Sequence, residues 1–345
     1  AVARGARAYL DFVNARGGVH GRTIAYSVVD DGGDPAATLG AVQRLVEQEG
    51  VFAVFNSVGT EHSLAVRDYL TAAKVPQLFV ASGATTFGRD HKRYPWTIGF
   101  RPSYRAEGWI YGRYLARTRP GATVGVLFRN DVDGKELLAG LRRGIAGSRA
   151  RVVAPQPVEP DAVDVEPQLL RSQAAGADAL ALFVTSAQAA EAAASASALG
   201  WQPPIVLGSG ASETGMPAPE GSVSIAYLKS PTDVRWRGDP ALRLYRSIMT
   251  RYAKGASQRD LRHVYGMAVA YELVRVLKAA GPRPTRGAVL AQTRKLSDAS
   301  NPFLLPGVVV RTSAADRFPV EQVQLQRWTN GRWQRFGGLW SHHPA

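Results

Sequence analysis

The 345-residue chain has no cysteine. That excludes thiolate metal sites, disulfides and a cysteine nucleophile, and it suits an exported protein with an adequate core. No run of 18 apolar residues occurs, so no segment reads as a membrane span. The chain opens without a charged stretch followed by an apolar one, and any signal peptide is expected to have been removed or to lie outside the sequence. Lysine is scarce, with 7 among 42 basic residues, and no Lys/Arg run of five or more appears. The net charge of +14 therefore reads as a solvated basic surface that steers anions modestly, and no nucleic-acid partner is expected. Nucleophile-elbow, zinc-protease and phosphate-loop motifs are absent. The six histidines stand apart except for His342 and His343. Asp30, Asp31 and Asp34 lack calcium-ligand spacing and read as helix-capping residues. No catalytic residue, metal or cofactor is expected.

What is present is an alternation of apolar runs and helical patterns. Helices are expected near 3–15, 35–48, 61–73, 107–117, 134–146, 162–175, 188–199 and 261–279. Strands are expected at 23–29, 51–55, 75–80, 123–128, 151–154, 179–184 and 205–207. Such alternation predicts parallel sheets with helices on both faces. The pattern restarts after Pro120 and Gly121, which suggests two lobes. In the tail, 308–312, 320–328 and 332–339 read as strands, with Asn330-Gly331 as a hairpin turn. No internal repeat or low-complexity segment occurs.

Four strands end in small hydroxyl residues and glycine. After Phe55 come Asn56, Ser57, Gly59 and Thr60; after Val80 come Ser82, Gly83 and Thr85; after Val184 come Thr185 and Ser186; after Leu207 come Gly208 and Ser209. Such residues also serve ordinary turns and caps. Four ends in two pairs, one pair per lobe, favour a ligand. A strand that stops before a helix presents backbone N–H groups at the positive end of the helix dipole, a setting for a small anion such as a carboxylate.

The chain resembles the Leu/Ile/Val-type solute-binding proteins of ABC importers. The resemblance rests on 14–22 (NARGGVHGR), 29–31 with Asp34 and Pro35, 75–78 (VPQL), 82–85 (SGAT), 94–96 (YPW), 131–134 (DVDG), 199–201 (LGW) and 264–271 (VYGMAVAY). Residues 55–66, 227–233 and 318–322 are similar to a branch associated with aromatic or other non-amino-acid carboxylates. The resemblance implies an α/β protein of two Rossmann-like lobes with parallel sheets flanked by helices, joined by a three-strand hinge, the type I periplasmic-binding fold. It places lobe 1 at 1–119 plus 231–318 and lobe 2 at 120–230 plus 319–345. The family begins with a strand and a Gly-rich loop ahead of the helix that here starts at Ala1, and those residues are expected upstream.

The resemblance further implies a small carboxylate ligand in the interlobe cleft, a membrane permease as partner, a monomer, and a periplasmic or extracellular location with a lipid anchor left open. The family's carboxylate anchors fall on Gly59, Thr60, Gly83 and Thr85, with Ser57 in the same strand end. Positions facing the ligand from the second lobe fall near Asp133, Thr185, Ser186 and Ser209. Tyr104, Trp109 and Tyr227 are candidates to pack on the ligand body. Amino-acid-binding members carry an acid near the position of Ser209, and a serine cannot pair an ammonium. This predicts a ligand without an α-amino group. A branched-chain or other amino acid, and a sensory domain of the same fold, are the alternatives.

Overall fold

The computed structural model describes residues 1–344. In chain order, the first stretch carries α1 (Val2–Asn14), α2 (Pro35–Glu47), β1 (Val54–Phe55), α3 (Thr60–Ala72), β2 (Gln77–Val80), α4 (Thr86–Arg89) and β3 (Thr97–Gly99). There follow α5 (Tyr104–Thr118), β4 (Thr123–Arg129), α6 (Val132–Ile145), β5 (Arg151–Val158) and α7 (Glu166–Ala174). Next come β6 (Ala179–Phe183), α8 (Ser186–Ala198), β7 (Ile205–Leu207), α9 (Ser209–Ser212) and β8 (Val223–Ala226). The third stretch holds α10 (Pro240–Tyr252), α11 (Leu261–Ala279), α12 (Arg286–Thr293), β9 (Ser297–Asp298) and β10 (Val310–Arg311). The chain closes with β11 (Gln322–Thr329) and β12 (Arg332–Ser341).

These elements form two compact units, one from Ala1–Pro102 and Leu228–Glu321, the other from Ser103–Tyr227 and Gln322–Pro344. The first unit's opening stretch ends at Pro102, whereas the resemblance implies 119. The physical reason lies in α5, which packs along α6 through glycine notches. A Cβ on Gly108 would stand 2.1 Å from Leu137 O, and one on Gly140 2.2 Å from Arg105 O. No side chain fits there, so the two helices approach at backbone distance.

The first unit holds a parallel sheet in the order β1-β2-β3. Val42, Val66, Leu70 and Val75 form one core cluster beside it. Its α1 and α11 are notched in the same way, since a Cβ on Gly5 would stand 2.2 Å from His263 O and one on Gly266 2.2 Å from Val2 O. Helix α11 is buried nearly all round and carries Glu272, fully enclosed, with Oε1 accepting from Asn301 Nδ2 at 2.8 Å. Burial, reinforced by the neighbouring Asp298 carboxyl, pushes Glu272 up to about 8. Residues 23–29 depart from the expected strand and join no ladder. The Asn14 side chain takes both backbone groups of Ile24, at 2.9 and 2.8 Å, and Val28 and Val29 remain exposed. Asp34 caps α2 through Ala36 N–H, the role expected of the acidic cluster.

The second unit holds a seven-stranded sheet in the order β12-β11-β8-β7-β6-β4-β5. Its central strands β4 and β6 are buried almost throughout, as parallel strands covered on both faces must be. Leu127, Leu180, Leu182, Ala192 and Leu207 anchor the core on one side. Asn330 and Gly331 both take positive φ, 53° and 74°, and join β11 to β12 as the sequence signal predicts. Across that turn Trp328 pairs with Trp333, their rings 5.3 Å apart.

Candidate functional site

In the first unit, Ser57, Gly59 and Thr60 follow the carboxyl end of β1, and Ser82, Gly83 and Thr85 follow that of β2. The strands are parallel neighbours, and Val58 bridges Ala81 beyond them, so the two loops lie side by side. Thr60 Oγ1 and Ser82 Oγ share a hydrogen bond of 2.6 Å, and Ser82 Oγ accepts from Ala84 N at 3.0 Å. Ser57 Oγ pairs with Ser63 Oγ at 3.0 Å and accepts from Gln77 Nε2 at 3.4 Å. It therefore braces the loop from behind. Gly59 is the N-cap of α3 at φ 99° and offers no side chain to cap it. A Cβ there would stand 2.6 Å from His62 Nδ1. The start of α3 is thus left to other acceptors, and its dipole favours an anion.

Three supports of this cradle are not readable from the local sequence. Asn56, just after β1, and Phe79, on β2, both stand in the left-handed region, φ 53° and 57°. Asn56 Nδ2 donates to Phe79 O at 2.8 Å and to Tyr265 Oη at 3.2 Å. A non-glycine residue held there stores strain that its surroundings must over-determine. Below them Phe79, Phe100 and Tyr265 form an edge-to-face chain. The third support is Arg67, buried on α3, whose Nη1 donates to Thr86 Oγ1 at 2.8 Å while the guanidinium lies 3.6 Å from the Tyr94 ring centre. Burial lowers its pKa against the pull of Tyr94 and Asp90, and its charge sits beside the second loop.

In the second unit, Asp133, Thr185, Ser186 and Ser209 follow the carboxyl ends of β4, β6 and β7, three adjacent parallel strands. The side chains of Asp133, Thr185 and Ser209 are already engaged. Thr185 caps α8 in a capping box with Gln188. Asp131 caps α6 through Gly134 N at 2.9 Å and pairs with Arg129, which also reaches Asp133 at 4.0 Å. Ser209 is held by Glu107 from α5. Its N–H donates to Oε1 at 2.6 Å and its Oγ to Oε2 at 2.7 Å. Tyr111 Oη donates to the same Oε1 at 2.9 Å and meets Ser224 Oγ at 3.2 Å. Burial, with the Glu107 charge behind it, drives the Tyr111 phenol well above its ordinary range. A buried carboxylate therefore stands beside Ser209, where the sequence offered only the serine. Tyr104 opens α5 half-buried, and Tyr227 is buried after β8.

The geometry of both units is matched by known proteins. A family model described as periplasmic binding protein matches residues 1–332. No curated protein matches the chain in sequence. A substrate-binding periplasmic protein from Ralstonia solanacearum is similar at 22% identity over 97% of this chain and 94% of that one, with a TM-score of 0.81. A branched chain amino acid ABC transporter protein from Thermus thermophilus, with bound valine, is 17% identical over 99% and 92%, with a TM-score of 0.85. An ABC transporter solute-binding protein from R. palustris, in complex with benzoate, is 17% identical over 97% and 90%, with a TM-score of 0.81. At such identities the likeness shows the fold, the type I periplasmic-binding arrangement of helix-flanked parallel sheets expected from the sequence. The family is extracytoplasmic, and among the described residues no helix is long and apolar enough to cross a membrane. The chain belongs to the periplasmic binding protein family, as a substrate-binding protein and not an enzyme.

Proposed function

We propose that the protein is the solute-binding component of an ABC importer and captures a small carboxylate, aromatic or otherwise lacking an α-amino group, for delivery to a membrane permease. The observation that carries this reading is the cradle of the first unit: two adjacent strand ends, the Thr60–Ser82 hydroxyl pair and a helix start without a side-chain cap. Gly59, Thr60, Gly83 and Thr85 hold the carboxylate, with Ser57 bracing the loop. Asp133, Thr185, Ser186 and Ser209 supply contacts from the second unit, and Tyr104 and Tyr227 are proposed to shape the space for the ligand body. The protein acts as a monomer outside the cytoplasm, free or lipid-anchored. Benzoate bound to the R. palustris relative supports an aromatic acid.

One observation favours a second reading. Glu107 is a buried carboxylate at Ser209, and an amino acid's ammonium would pair with such a group; the Thermus relative holds valine. Against it, Glu107 already accepts three hydrogen bonds from Ser209 and Tyr111, which fill most of a carboxylate's acceptor sites. A thermal-shift screen of benzoates, dicarboxylates and branched-chain amino acids separates the two. A ligand at a hundredfold its Kd adds about 2.7 kcal/mol, a rise of several degrees. Stabilisation by a benzoate that disappears in Thr60→Val/Ser82→Ala is the expected result. Stabilisation by leucine and by no other acid overturns the ligand assignment.

A further inference from the structure

The first unit carries a second basic recess that the cradle does not use. The loop between α4 and β3, the end of α12 and the strap after β10 line a pocket of about 120 Å³ that opens to solvent. Its lining includes His91, Lys92, Arg294 and Arg317 and no acidic residue. The Arg317 Nη1 is shielded from solvent and has no hydrogen-bond partner. Burial lowers the Arg317 pKa, and the Arg294 charge lowers it further against the pull of Asp316. A shielded donor without an acceptor and two neighbouring guanidinium charges are both costly. One anion in the pocket relieves both.

The basic groups are held in place. Phe318 packs on Gly88 so closely that a Cβ there would stand 2.5 Å from the ring. Phe318 N donates to Asp316 Oδ1 at 2.9 Å, and Ser313 N donates to Asp316 O at 2.8 Å. The strap bearing Arg317 is thereby a closed turn. Arg294 Nη2 donates to Pro95 O at 3.1 Å, and His91 Nδ1 donates to Gly88 O at 2.9 Å. Asp90, the other acid nearby in the chain, is taken by Arg89 and Thr86. The pocket lies at Thr97, where β3 begins, whereas the cradle lies where β1 and β2 end.

We propose that this pocket is a separate anion site for a phosphate-class oxyanion. Two guanidinium groups and an ammonium suit a tetrahedral anion with several acceptor oxygens and more than one charge, and a monocarboxylate would leave the site unbalanced. The probe is inorganic phosphate, titrated calorimetrically at ionic strength held constant with sodium chloride. Saturable one-site binding is expected, weakened at least tenfold by Arg317→Met and by the milder Arg294→Gln, and changed less than twofold by the cradle variant Thr60→Val/Ser82→Ala. Co-sedimentation with phosphatidic acid vesicles distinguishes the source. Sedimentation lost in Arg294→Gln assigns a lipid phosphomonoester, and no sedimentation, or sedimentation unchanged in Arg294→Gln, assigns a free anion. Absence of saturable phosphate binding, an affinity in both arginine variants unchanged from the unsubstituted protein, or loss of phosphate binding in the cradle variant overturns the proposal. Because the cradle variant tests the carboxylate site alone, failure of one assignment leaves the other standing.

Discussion

The two units reach similar strand-end faces by opposite electrostatic means. In the first, neutral hydroxyls and backbone amides line the loops, and the nearby buried charge is a cation, Arg67. In the second, the buried charge is an anion, Glu107, and it is spent on orienting Ser209 and Tyr111. The first face thus presents uncharged donors beside a buried cation. The second is made of donors and hydroxyls already fixed by an internal acceptor. The lesson is that a strand end rich in serine and threonine does not declare its polarity; the helix packed behind it does.

What the units share gives the largest expected effect. Both rest on helix pairs that touch at glycine, so Gly140→Val in the second and Gly5→Val in the first force backbones apart. Each is expected to cost about 3 kcal/mol or more, read as a fall in the midpoint of one unfolding transition. A loss below 1 kcal/mol in either unit would break the parallel. What they do not share comes next. Glu107→Ala leaves the Ser209 N–H and the Tyr111 hydroxyl without their acceptor, at about 1–3 kcal/mol for each buried group. Glu107→Gln, which keeps an acceptor oxygen and lets the hydroxyl of Ser209 turn, is expected to lose less than half as much. Equal losses would mean that the charge itself matters.

A third effect depends on pH and belongs to the first unit alone. Glu272 keeps its proton up to about 8 in the folded chain and only to its ordinary 4.5 when unfolded. The native state therefore holds a proton that the unfolded state releases in between. Stability from this group is full below about 4.5 and falls as pH rises toward 8. Asp298 works the other way: burial would raise its pKa, but the Ser300 donors, the Glu272 carboxyl and Arg275 outweigh it. Its contribution is lost as pH falls below the ordinary carboxylate range. Glu272→Gln is expected to flatten the decline between pH 5 and 8 in equilibrium unfolding, and an unchanged slope would remove Glu272 as its source.

The sequence makes the helices, the parallel strands and the Asn330-Gly331 turn legible because each has a local cause: periodicity, apolar runs, a residue pair that accepts positive φ. It places Thr60 and Ser82 on neighbouring loops for the same reason. Glu107 is illegible because it reaches Ser209 from 102 residues away, and nothing in the α5 pattern marks it as more than a helical glutamate. Arg67 reads as one basic residue among many until its packing on Tyr94 is seen. The expected strand at 23–29 fails because strand formation needs a ladder partner, and Asn14 claims Ile24 instead.

The tryptophan pair beside the β11–β12 turn has a use that follows from its geometry. Trp328 and Trp333 stand 5.3 Å apart at 71°, close and inclined enough for their strong short-wavelength transitions to couple and give a paired band in far-ultraviolet circular dichroism. Both rings belong to the second unit. Their signal is an optical gauge of that unit alone, against which unfolding of the first can be timed.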